Sequence, residues 1–452
     1  MILRNISFRS ISTTTRMLRD VPKYDMRTDA ITNAATSIAP LDVLLDTAWV
    51  RHHLYMIGSD LVRLTLYQKL SHLIEFGGGP VIKNLVYEMS SFLKQELGSD
   101  RSSTTTAAQQ LRDLVYFGSN VGVVAPAVYR RYNIPDFRWI YITIGYMVIS
   151  QPNDLAEDVI NRVIDIYINT RNSPYLSKTR AEPSTIVSVA KDYYKHVPIN
   201  YNKLYSNTKS RYITLQETKD YKIMLPPLPR LKNKETLVKA LIHKELYRAW
   251  LEPNHKFAQR LLELNVDLDD SSTKDTLKYE LSFLDGLGDL FLARESSNLL
   301  YKFKGVPPSD DNGTFSTRTY NQLRIILATN TLLSKLAIAY KLHEGLSDKR
   351  VHDLLIKSYV PNIGKWEDPD FNDDDCRRYE QEFLADYFEQ YIGALFLEQP
   401  EVAQHFISEI YENILRSISD VHKLTGKERK KFHHPYDYRA WSVDVIGRNI
   451  WR

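Results

Sequence analysis

Cysteine is almost missing from this chain: Cys376 is the only one in 452 residues. A single thiol excludes an intramolecular disulfide, a thiolate zinc cluster and the disulfide-built scaffolds of small secreted proteins. Glycine is scarce at 17, and no Gly-rich phosphate loop, GxSxG elbow or CxxC pair occurs. No sign of charge dominates, since 59 basic residues face 55 acidic ones for a net +4, so global charge names no partner. Long hydrophobic runs are also absent. The longest, Trp139 to Ile149, is about half of the roughly 20 residues a membrane span requires, and it reads as a buried helix. No membrane span is expected.

What is present is an ordinary core-forming composition, 43% hydrophobic and 25% charged with 29 tyrosines, which excludes the disordered and low-complexity classes. At roughly 150 residues per domain, two domains plus connections fit the length. The first 20 residues differ from that average. Arg4, Arg9, Arg16 and Arg19 alternate with apolar and hydroxyl side chains, and no acid precedes Asp20. An Arg-rich, Ser-rich, acid-poor amphipathic start is the composition of a mitochondrial transit peptide, so residues 1–20 are expected to target the matrix.

From 40 to 170 the spacing is helical, as in Leu54, Ile57, Leu61 and Leu64. Residues 171–235 change texture. Six prolines break every would-be helix, and 13 Lys or Arg stand against 5 Asp or Glu, a local charge of +8, with seven tyrosines among them. Cations mixed with stackable rings suit a nucleic-acid backbone with unpaired bases, so Lys203, Lys209 and Arg211 are candidate RNA contacts; the alternative is a solvated linker that packs its tyrosines on neighbouring domains. Helical spacing returns over 236–420. The tail, 421–452, carries Lys430 and Lys431 in a basic run, a second candidate RNA-facing surface or simply a charged end.

Two acid pairs stand out. Asp285 and Asp289 lie four apart in FLDGLGDLFL, and Asp386 and Glu389 lie three apart in LADYFEQYIGALFLE, so each pair projects from one face of its helix. If the two helices face each other, four acids converge in an apolar setting, which a hard divalent cation would make tolerable. The run Asp373 to Asp375 has the charge of a calcium loop but is better read as the start of a helix near Cys376. His52 with His53, and His433 with His434, are adjacent rather than at ligand spacing and are expected at the surface.

These segments occur in a telling order. ALIH (Ala240 to His243), LDGLGDLFL (Leu284 to Leu292) followed by Leu300 and Tyr301, LATN (Leu327 to Asn330) and LADYFEQYIGALFLE (Leu384 to Glu398) resemble the successive motifs of the ribonuclease III family. The resemblance covers 236–420. It implies an all-α domain in which Asp285, Asp289, Asp386 and Glu389 hold Mg²⁺ (or Mn²⁺), with Asp289 and Glu389 essential to phosphodiester hydrolysis of structured or double-stranded RNA. Asp285 is one methylene shorter than the family's usual Glu, and Ser282 stands where another Glu begins the motif. The family's signature helix lies between two copies of the domain, and a second copy resembles 40–170. There Gly58 and Gly145 align with Gly288 and Gly393, Phe117 to Asn120 with LATN, and the four acid positions become Tyr55, Ser59, Arg138 and Tyr141.

The expected architecture is therefore all-α, with two ribonuclease III-like helical domains forming an intramolecular pseudo-dimer, the first degenerate, and no homodimer required. The family's usual C-terminal RNA-binding domain does not fit in the 32 residues after Asp420, which leaves RNA capture to the fold, the connector and the tail. Two functions follow: a mitochondrial endoribonuclease of RNA processing, or a non-catalytic protein, either a structural component of the mitochondrial large ribosomal subunit on its rRNA or an RNA stability or translation factor.

Overall fold

The computed structural model describes residues 48–71, 79–98, 105–117, 133–150, 153–171, 197–206, 211–215, 222–245, 271–302, 317–347 and 374–424. The expected transit peptide lies outside them, as does the expected basic tail beyond residue 424. The described residues are mostly helical, and among them no helix is long and apolar enough to cross a membrane.

The chain divides into two compact units. The first contains α1 (Ala48–Lys69), α2 (Gly79–Glu96), α3 (Thr106–Phe117), α4 (Asp136–Ser150) and α5 (Asn153–Arg171), with residues 297–321 added from later in the chain. The heptad-like positions Leu54, Ile57, Leu61 and Leu64 of α1 are all buried, as is the apolar run of α4 from Trp139 to Val148. What brings these two helices together is glycine. A Cβ on Gly58 would lie 2.0 Å from the Tyr141 carbonyl oxygen, and one on Gly145 would lie 2.1 Å from that of Leu54. Only hydrogen at both positions lets the backbones touch. Tyr167 of α5 ties the bundle to α2 by donating to the Leu85 carbonyl at 2.7 Å.

His433 and His434 lie outside the described residues, whereas His53 departs from the surface placement that its spacing suggested. His53 is fully buried, hydrogen-bonds through Nε2 to the Ser297 carbonyl at 3.2 Å and packs on the Tyr320 ring. His52 Nε2 meets the Asn321 side chain at 2.8 Å. The Ser297 hydroxyl donates to buried Asp60 at 2.7 Å. The partners of these polar groups lie far away in sequence, which adjacency alone does not reveal.

The second unit is built on α8 (Ser271–Lys302, up to Ser296), α10 (Asn330–Ala339), α11 (Asp374–Glu398) and α12 (Pro400–Leu424), with α7 (Lys234–Leu241) against α11 and α9 (Thr317–Leu327) entering it from Gln322. The start of α11 at Asp374 agrees with reading the acidic run as a helix N-terminus. Here the glycine device recurs. A Cβ on Gly288 of α8 would lie 1.9 Å from the Glu389 carbonyl oxygen, and one on Gly393 of α11 would lie 2.1 Å from that of Leu284.

The described parts of the proline-broken connector from residue 197 onward fold onto this second unit. A short helix α6 (Tyr201–Tyr205) is followed by an antiparallel pair, β1 (Tyr212–Thr214) and β2 (Lys222–Met224). Ile213 and Ile223 face each other and are buried, while Tyr212, Lys222 and Met224 point outward, the alternation expected of a sheet covered on one side. Leu204, Leu225, Leu228 and Leu231 are buried as well. The strap is fastened by polar contacts: Tyr340 donates to the Pro226 carbonyl at 2.8 Å, and the Glu398 carboxylate accepts from the backbone N–H groups of Lys232 and Asn233 at 2.8 and 3.0 Å. Asn233 then caps α7, its side chain accepting from the N–H groups of Glu235 and Thr236.

Candidate metal centre

The close crossing at Gly288 and Gly393 sets one face of α8 against one face of α11, and the acids lie beside that crossing. Oxygen atoms of Asp285, Asp386 and Glu389 lie within 4.8 Å of one another. Asp285 is 9% exposed and Asp386 5%. Asp289, one turn further along α8, is exposed and outside that trio, though its charge acts on Glu389. The two helices thus bring three of the four sequence-identified acids together and leave the fourth at the solvent edge.

A cation that the spacing argument overlooked sits among them. The Lys244 ammonium donates to Asp285 Oδ2 at 2.8 Å and lies 2.9 Å from Asp386 Oδ1. Its placement follows from its neighbour. His243 is fully buried and stacked on the Phe383 ring, with centroids 3.6 Å apart. Its Nε2 donates to the Phe383 carbonyl at 2.8 Å, and its Nδ1 accepts from the Glu245 N–H at 3.0 Å. Burial, reinforced by the adjacent Lys244 charge, pushes the imidazole down to about 3, so it is neutral and both nitrogens serve as anchors. With its amide turned to donate to the Ile242 carbonyl (3.2 Å), Gln390 of α11 accepts from the Lys244 N–H (3.3 Å). The turn is therefore pinned on both sides of the lysine. Lys244 immediately follows the ALIH motif, so a basic residue next to a motif was the available signal; its pairing with an acid 41 residues away was not.

The electrostatics are unbalanced. Burial and the Asp386 charge raise Asp285 above the usual carboxylate range, against the pull of Lys244. Burial raises Asp386 also. Glu389 is held well above its ordinary value by burial and then by Asp285, Asp289 and Asp386. For Lys244, burial opposes the charge, but Asp285 and Asp386 outweigh it and raise the ammonium's affinity for its proton. Asp285 Oδ1 is buried without a hydrogen-bond donor. A buried carboxylate oxygen with no donor is costly, and an all-oxygen set of this kind fits a hard divalent cation such as Mg²⁺ or Mn²⁺. The residues present therefore fit the ion.

In the first unit three of the four counterparts also meet, but without charge of that sign. Tyr55 meets Tyr141 edge to face at 5.5 Å, the Arg138 guanidinium lies 5.8 Å over the Tyr55 ring, and Ser59 is buried. Burial pushes the Tyr141 hydroxyl up to about 12.

The sequence-identified RNA contacts that fall within the described residues are engaged inside the chain. Arg211 donates to the carbonyls of Tyr340 (2.8 Å), Lys203 (3.1 Å) and Leu204 (2.5 Å), and its guanidinium lies over the Tyr340 ring. Lys203 pairs with Glu344 at 2.6 Å. Lys209, Lys430 and Lys431 lie outside the described residues. Tyr201 and Tyr212 remain exposed. No family model, no curated protein and no solved structure matches the chain.

Proposed function

We propose that this chain is a tandem ribonuclease III-like protein of the mitochondrial matrix, an intramolecular pseudo-dimer that binds structured RNA and cleaves it with Mg²⁺ at one site in its second unit. The carrying observation is the convergence of Asp285, Asp386 and Glu389 within 4.8 Å around a buried carboxylate oxygen that lacks a donor. The same reciprocal glycine crossing in both units, each glycine meeting the carbonyl four residues before its partner glycine, supports the tandem reading. When bound, a divalent ion supplies an activated water and charge stabilisation for in-line displacement at phosphorus. Asp285, Asp386 and Glu389 would hold it. Asp289, exposed one turn away, is placed to meet solvent and substrate. With Tyr55, Ser59, Arg138 and Tyr141 at the other corner, one docking event gives one cut.

Asp289→Asn and Glu389→Gln test this, since each removes charge with little change in volume. Duplex RNA binding by the purified protein should persist, and Mg²⁺-dependent cleavage should fall by on the order of a hundredfold or more. Normal mitochondrial RNA ends and respiration in cells carrying either variant, with loss of both on deletion of the gene, would refute the enzymatic reading.

One observation favours a second reading. Lys244 already pairs with two of the acids, and an internal cation can make a former metal site self-sufficient. On that reading the protein is a non-catalytic RNA-binding component of the mitochondrial large ribosomal subunit, and it should cosediment stoichiometrically with large-subunit RNA.

A further inference from the structure

Resting on the reading of the acid cluster as a cation site, we infer that the Lys244 ammonium is a resident cation of that site, standing in for one divalent ion between Asp285 and Asp386 and leaving a place for a single further ion beside Asp285 Oδ1 and Glu389. Three observations converge. The ammonium lies 2.8 Å from Asp285 and 2.9 Å from Asp386, bridging the two helices as a shared ion would. It is delivered by a turn that His243 and Gln390 hold in place, so it is tethered rather than a surface side chain that happened to reach an acid. And it satisfies only part of the cluster. Asp285 Oδ2 takes the ammonium while buried Oδ1 has no donor, and three carboxylates converge around one positive charge, with Asp289 adding its charge at Glu389.

A lysine ammonium is a compact point charge with three donors, able to replace an ion electrostatically but not as a Lewis acid. Two-metal phosphodiester sites use two ions a few ångströms apart to hold the attacking and leaving oxygens. Here one of the two charges is covalently fixed. The consequence is a lower divalent stoichiometry and a site that never empties completely of positive charge.

The experiment is a Mn²⁺ titration of the full chain followed by electron paramagnetic resonance, with circular dichroism to verify folding. The wild type should bind about one Mn²⁺ per chain at this site, and Lys244→Met should either bind about two or bind the first on the order of tenfold more tightly, because a positive charge in contact with the ligands has gone. Lys244→Arg should titrate like the wild type. Adding Glu389→Gln to Lys244→Met should abolish the gain, which locates it at this cluster. If Lys244→Met does not fold, Lys244→Gln, which keeps hydrogen-bonding capacity without charge, replaces it. Identical titrations for wild type and the neutral variants, or no Mn²⁺ bound by either, would overturn the inference. RNA cleavage is a separate readout: its absence with the Mn²⁺ pattern intact would overturn the endonuclease reading alone.

Discussion

Asp285 illustrates how one side chain can be both paired and incomplete. One of its oxygens receives the Lys244 ammonium, the other receives nothing, and two further carboxylates crowd it. In such a cluster the charge that matters to function burdens the fold. Glu389→Gln replaces a carboxyl that burial and its acidic neighbours hold well above its ordinary pKa with an amide of nearly the same volume, so in a chelator the variant should melt at or above the wild type, by up to about 1 kcal/mol. Adding Mg²⁺ should reverse the order, because the wild type gains binding energy that the variant has lost. Thermal melts with and without the ion check both signs. Lys244 and His243 show what adjacency in sequence conceals: the buried, neutral imidazole acts on the site by fixing where the next side chain points.

Among the elements, the connector changed most between reading and structure. Its described parts hold no long helix, its apolar residues at 204, 213, 215, 223, 225, 228 and 231 are buried, and Arg211 works as a clamp on three backbone carbonyls. Arg211→Met should therefore cost roughly 2–3 kcal/mol of stability, through the loss of charged hydrogen bonds to three backbone carbonyls. Denaturant melts measure it. Lys335 of α10 belongs to the same contact, donating to the Thr214 carbonyl of β1 at 2.8 Å. Burial lowers its pKa from 10.5 to about 8. A folded chain that releases this proton earlier than the unfolded chain becomes more stable as pH rises through the window between those two values, and below about 8 the cost of burying the charge is fully present. Relative to Lys335→Met, the wild type should therefore gain roughly 2–3 kcal/mol between pH 7 and pH 10.5. Urea melts across that range should show the difference in slope.

Over the whole molecule, two units carry one packing device. In α1 with α4 and in α8 with α11, a pair of glycines lets each backbone reach the carbonyl four residues before the partner glycine. A methyl group within about 2 Å of a carbonyl oxygen must push the helices apart. Gly58→Ala and Gly288→Ala should each destabilise their unit by roughly 2–4 kcal/mol through overpacking, read out as a lowered thermal midpoint. Gly288→Ala should also weaken Mn²⁺ binding, since its clash is with the backbone of Glu389 itself. Gly58→Ala should leave that binding unchanged.

Much of this protein was legible in its residues. Helical spacing identified α1 and the α8 and α11 faces, the acid pairs at four and three residues identified the two faces that converge, and Gly288, with no side chain, suited a helix that approaches another backbone closely. These features are local, governed by the 3.6-residue turn and by the absence of a Cβ, so sequence alone determines them. Tertiary structure decided the rest. Which acids meet, with Asp289 left outside the trio; that Lys244 enters between Asp285 and Asp386; that His53 and Asp60 are buried; and that the basic connector spends Lys203 and Arg211 on its own unit are all matters of contact between residues tens to hundreds of positions apart. A side chain's charge is written in the sequence, but whether it faces water, an ion or an opposite charge depends on which distant backbone the fold carries to it.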